Sequence, residues 1–150
     1  MELILWRHAE AEDGIDDLAR ELTPRGRKQA AKVAAWLNTR LPGKCRVLAS
    51  PAARAQQTAQ ALNRDIETVP RLAPGAGVRD ILEAAGWPDG NDECVLIAGH
   101  QPDLGEAAAH LLGAQGSLSL KKAGAWWFSS RGRAAGNALV LRAVIAPDLL

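Results

Sequence analysis

Leu3-Ile4-Leu5-Trp6-Arg7-His8 opens the chain with four consecutive apolar residues and ends in an arginine and a histidine. An unbroken apolar run of this length fits a strand covered on both faces, as at the centre of a parallel sheet. Ligands in open α/β sheets gather just beyond the carboxyl ends of such strands, so Arg7 and His8 fall where chemistry is usually done. Taken alone the pair also fits an ordinary solvated strand end. Its meaning depends on what other strands bring to the same edge.

Two more apolar strands carry similar tips. Residues 45–49 form one, and Ser50-Pro51 after it resembles a helix start, with serine as cap and proline in the first turn. The helix over 51–62 then carries Arg54 near its N-terminus, where the positive end of the macrodipole disfavours a cation. A residue that breaks a local rule is a place to look for function, and here the position favours anion binding. Residues 94–98 form the other strand, tipped by Gly99-His100-Gln101-Pro102.

Helices separate these strands. Thr23-Pro24 predicts a cap and first turn for a helix to about residue 40, with Ala30, Val33, Ala34 and Leu37 on one face. Before it, residues 9–14 form an acidic loop and 16–20 a short turn. An edge strand over 66–69, a short helix through Val78, Ile81, Leu82 and Ala85, and an amphipathic helix over 102–112 follow. His110 on the last of these is a surface or boundary residue. Strands over 125–129 and 138–145, joined by a loop rich in glycine and arginine, complete the chain, with Trp126 and Trp127 on opposite faces. This alternation predicts a three-layer α/β/α sandwich in a single domain over residues 1–150.

The 150 residues suffice for a real core, because at that length roughly 70% of the unfolded surface can be buried. With 47% apolar and 23% charged residues and a net charge of +1, the chain has neither a disordered nor a nucleic-acid-binding signature. No apolar run approaches the roughly 18 residues of a membrane span, and a strand beginning at Glu2 leaves no room for a secretory signal. Cys45 and Cys94 lack metal-ligand or redox spacing and are expected free and reduced, as in the cytoplasm. Both open their strands, the wrong end for a cysteine phosphatase.

Three strand ends thus deliver Arg7, His8, Arg54 and His100 to one sheet edge. Arginine forks suit phosphate oxygens, and a neutral imidazole suits nucleophilic attack in line with a leaving group. Three stretches now resemble the histidine phosphatase superfamily, most closely its small SixA-type phosphohistidine phosphatases. They are Leu5-Trp6-Arg7-His8-Ala9-Glu10-Ala11, Ser50-Pro51-Ala52-Ala53-Arg54-Ala55-Gln56-Gln57-Thr58 and Gly99-His100-Gln101-Pro102-Asp103. Arg71-Leu72-Ala73-Pro74-Gly75 is similar to the same subgroup.

The resemblance implies that His8 is the phosphorylated nucleophile, that Arg7, Arg54 and His100 form the phosphate pocket, and that no metal or other cofactor is needed. It also implies a mixed six-stranded sheet whose fifth strand is antiparallel. Ala9 departs from the glycine usual in the superfamily and would add bulk beside the pocket. The segment from 49 to 94 is too short for the helical lid of larger members. An uncovered pocket favours a phosphorylated protein as substrate, and phosphohistidine needs little acid catalysis because imidazole is a far better leaving group than an alkoxide.

Alternatives are a small-molecule or sugar-phosphate phosphomonoesterase, a phosphate-binding module without turnover, and a metal hydrolase using His8, Glu10, Asp13 and His100. The two arginines would repel the metal of the last. Glu10 and Glu12 follow His8 closely enough to reach the pocket mouth and assist proton transfer, or are simply solvated. No nucleic-acid or membrane partner is expected, and a monomer is. Finally, an antiparallel fifth strand must start at the active edge. The segment 113–123, about eleven residues at up to roughly 3.3 Å each, must therefore climb the sheet and deliver Lys121 and Lys122 to the rim as substrate-binding residues.

Overall fold

The computed structural model of the chain describes residues 1–132, 136 and 138–150. Residues 133–135 and 137, in the predicted loop before the last strand, lie outside the described residues. The strands are β1 (Glu2–Arg7), β2 (Arg46–Ala49), β3 (Ile66–Thr68), β4 (Cys94–Gly99), β5 (Ala125–Ser130) and β6 (Leu139–Ile145). They form one sheet in the order β3-β2-β4-β1-β5-β6. The pairs β1·β4, β2·β4 and β2·β3 are parallel, while β5 is antiparallel to β1 and to β6.

Leu3, Ile4, Leu5 and Trp6 are all fully buried, and the two-residue period of the strand divides them between two cores. Ile4 and Trp6 pack with α1 (Pro24–Asn38) and α2 (Ala53–Gln60); Leu3 and Leu5 pack with α3 (Val78–Ala85) and α4 (Asp103–Leu111). Two helices on each face make the three layers. Trp127 joins the first core and Trp126 packs against the second.

α1 begins as its sequence requires: Pro24 opens it and the Thr23 hydroxyl accepts the Gly26 N–H at 2.9 Å, a cap worth about 1 kcal/mol. Gly26 has a second use. A β-carbon there would overlap the carbonyl oxygen of Glu10, so glycine lets α1 abut the chain just past His8. The helix ends at Asn38, two residues before the expected 40.

Two expectations are corrected. α2 starts at Ala53, after Pro51, with Ala52 rather than Ser50 at its N-cap position, and ends at Gln60 rather than 62. The Ser50 hydroxyl accepts the Ala52 N–H at 3.2 Å and lies 2.7 Å from His100 Nε2. Cys45 and Cys94 are not free but joined in a disulfide, with Cα atoms 4.7 Å apart. Arg46 pairs with Val95 in the parallel β2·β4 register, so the two preceding residues become cross-strand neighbours within bonding reach. With both thiols paired, cysteine usage no longer points to a reducing compartment. No helix among the described residues is long and apolar enough to cross a membrane.

Candidate active site

Past the end of β1 the chain stays clamped between its neighbours. The His8 N–H donates to the Gly99 carbonyl at 2.9 Å, and the His8 carbonyl accepts the Ala123 N–H at 3.1 Å. The ring is oriented just as locally, with Nδ1 lying 2.7 Å from the Ala9 carbonyl oxygen. A carbonyl only accepts, so Nδ1 carries the proton and Nε2 of the neutral ring bears the free lone pair. Burial above all, with the charges of Arg54, Arg7 and Arg20, pulls the pKa of His8 down to about 4 against the opposing bond to Ala9. The imidazole is therefore neutral near pH 7.

His100, at the tip of β4, stands with its ring centroid 5.3 Å from that of His8. Burial first, then His8 and Arg54, lowers its pKa to about 3. Arg7 Nη1 donates to the Leu120 carbonyl at 2.7 Å. Arg54 is only 4% exposed; it donates from Nη1 to the Asp17 carbonyl at 2.6 Å and from Nη2 to the Asp17 carboxylate at 3.1 Å. The buried Nε of Arg7, Nε of Arg54 and Nδ1 of His100 have no hydrogen-bond partner among the described residues. Arg7, His8, Arg54 and His100 line one cavity of about 620 Å³, to which Arg20, Lys122, Asp103 and Glu106 also contribute. A neutral imidazole among several cations is suited to attack on, and stabilisation of, a tetrahedral oxyanion.

Lys121 and Lys122 reach this rim through a tight turn. Gly124 N–H donates to the Lys121 carbonyl at 2.7 Å, with Ala123 at a φ of 56°. The turn is tied down by the bond from Ala123 to His8 and by Trp6 Nε1, which donates to the Ala123 carbonyl at 2.8 Å. Lys122 lines the His8 cavity, and both lysines line an adjoining groove with Arg7.

Glu10 lies in that groove rather than in the cavity; its carboxylate accepts the Thr23 hydroxyl at 3.0 Å and lies 3.8 Å from Arg25. Glu12 and Asp13 line a separate depression. The four groups considered for a metal are thus not gathered, and no cluster of three or more His, Cys, Asp or Glu suited to a metal occurs among the described residues. The methyl group of Ala9 is fully buried in the α1 core and is not part of the cavity wall; its N–H donates to Thr58 Oγ1 at 3.0 Å.

Sequence reasoning missed Asp17 and Arg20, which stand in an irregular segment without periodicity, and Ser50, whose cap-like context concealed its bond to His100. It also missed Glu106, whose i+3 spacing from Asp103 on α4 is the one signal that it shares a face with the His100 strand tip.

The family model of the histidine phosphatase superfamily (branch 1) matches residues 3–76. The phosphohistidine phosphatase SixA homolog of Haemophilus influenzae is 33% identical over 136 residues, covering 79% of this chain and 82% of that protein. The structure of the protein histidine phosphatase SixA complexed with tungstate superposes with a TM-score of 0.85 at 22% identity, covering 99% of both chains. The fold is also shared with a phosphoserine phosphatase of Entamoeba histolytica solved with 3-phosphoglyceric acid. There the TM-score is 0.73 at 18% identity, over 97% of this chain and 96% of that one.

Proposed function

Because the chain belongs to the histidine phosphatase superfamily and to its SixA-type members, we propose that it removes the phosphoryl group from phosphohistidine on a protein, through a phosphoenzyme on His8. The observation that carries this reading is the His8 ring itself: Nδ1 is committed to Ala9, and Nε2 is left with its lone pair in a cavity lined by Arg7, Arg54 and His100. Nε2 attacks phosphorus as the P–N bond to the substrate imidazole breaks, and that imidazole departs with the electron pair and takes up a proton. Water then attacks the new phosphohistidine, releasing orthophosphate and restoring free His8. Arg7, Arg54 and His100 hold the equatorial oxygens throughout, so positioning and electrostatics do most of the work and no metal or cofactor takes part.

A protein substrate is supported by access. The segment between β2 and β4 is taken up by α2, the edge strand β3 and α3; it lines the cavity with Arg54 and residues 74–77 and adds no further α-helix between β3 and α3 to cover a side chain presented on a surface. All four pocket residues come from one chain, so a monomer suffices. A small phosphomonoester is the second reading, favoured by Glu106 in the cavity wall, whose carboxyl can protonate an alkoxide leaving group.

Phosphate release from a phosphohistidine protein and from a small phosphoester, measured side by side in the presence of a chelator, tests the proposal. Preference for the ester would favour the second reading. Oxyanion binding without release from either would leave only a binding module.

A further inference from the structure

We infer that the groove adjoining the His8 cavity docks an acidic segment of the protein substrate; the inference rests on the protein-phosphohistidine reading and gives the chemistry of its partner. The groove, about 660 Å³, lies between α1 and residues 119–122. Arg25, Lys28 and Lys32 line it from α1, at spacings of three and four that place them in one stripe, and Lys121 and Lys122 line it from the opposite segment. Among the described residues the acidic side chains in its wall are Glu10 and Asp148, and Glu10 is already engaged by Thr23 and Arg25. Since the whole chain carries a net charge of only +1, this basic concentration is local.

Arg7 and Lys122 line both the groove and the His8 cavity, which makes the two continuous. A phosphorylated side chain entering the cavity therefore carries its flanking surface across the groove. Pro147 and Gln29, both partly exposed in the groove wall, offer an apolar and an amide contact that suit a polypeptide better than a bare polyanion. The lysines are exposed, so their main effect is on capture: they attract an acidic surface over a screening length of about 8–10 Å and lose that influence as salt rises.

The test is the double variant Lys28→Glu/Lys32→Glu of the full chain. Both residues are exposed on α1 and stand outside the His8 cavity. At low salt its kcat/KM on an acidic phosphohistidine protein should fall about tenfold, with the deficit closing at high salt and hydrolysis of a small phosphoester unchanged. Fluorescence anisotropy with a labelled oligoglutamate peptide reads the groove independently of turnover: salt-dependent binding to the wild type should be lost in the variant. Equal binding to both proteins, or to neither, overturns the inference. Capture of tripolyphosphate but not oligoglutamate through these lysines overturns it too. If oligoglutamate binds as expected but no phosphohistidine protein is dephosphorylated, the catalytic reading fails and the groove stands.

Discussion

The carboxylate of Asp17 lies 3.1 Å from Nη2 of Arg54, while the Asp17 backbone carbonyl accepts Nη1 at 2.6 Å. The contact explains how a cation stays buried near the positive end of α2, and it also competes with any oxyanion for the same guanidinium. Asp17→Asn retains the carbonyl bond and removes the charge. It should tighten vanadate or phosphate binding about threefold, since an ion pair with one exposed partner is worth less than about 1 kcal/mol. Arg54→Ala should weaken the same binding more than about tenfold, because hydrogen bonds to a charged group are lost. Calorimetric titration measures both; normal anion affinity in Arg54→Ala would make Arg54 a structural residue.

His8→Ala should keep the fold and lose about a thousandfold or more of the turnover. Rapid quenching of the wild type with labelled substrate should trap an acid-labile, alkali-stable phosphoenzyme that the variant never forms. Wild-type activity in His8→Ala would end the mechanism.

The pH dependence follows from two depressed histidines, with pKa values of about 4 for His8 and about 3 for His100. His8 must be neutral to attack, so kcat/KM should lack a limb near the ordinary histidine value of about 6.5 and fall only as pH drops toward about 4. Stability has the same sign. Between pH 6.5 and these values the unfolded chain binds protons that the native histidines refuse, so thermal stability should decline as pH falls through that window. His8→Ala should flatten part of the decline.

Proton transfer separates the carboxylates. Glu106→Gln should slow an alkyl phosphoester more than phosphohistidine, because only the alkoxide depends strongly on an acid. Glu10→Gln and Glu12→Gln should spare both substrates, since neither side chain lines the His8 cavity. Steady-state rates on the two substrates decide. A selective loss on the ester in Glu10→Gln would transfer the role to that residue.

The Cys45–Cys94 disulfide closes a loop with a sequence separation of 49, which chain entropy values at about 4 kcal/mol. Cys45→Ser/Cys94→Ser should lower the thermal midpoint while leaving kcat/KM intact, because Cys94 opens β4 and His100 follows its other end. An unchanged midpoint would deny the bond a stabilising role.

Local pattern made much of this legible in advance. The apolar run at residues 3–6, the Thr23-Pro24 cap and the basic tips of separate strands were readable because strand burial, helix capping and strand-end placement each depend on a few neighbouring residues. The antiparallel β5 came from family likeness, and the turn that sets Lys121 beside Arg7 follows from it by chain length alone. Only the tertiary structure could pair Cys45 with Cys94, turn Ser50 toward His100, bring Asp17 onto Arg54 and set Lys28 and Lys32 opposite Lys121. Each of these joins residues far apart in the chain through the register of two strands or the path of an irregular loop, and neither leaves a period in the sequence. Side chains such as Glu10 and Glu12, close to His8 in sequence, were turned elsewhere for the same reason: which groove a loop carboxylate enters is decided by what packs against the loop, here α1 with Gly26 against Glu10.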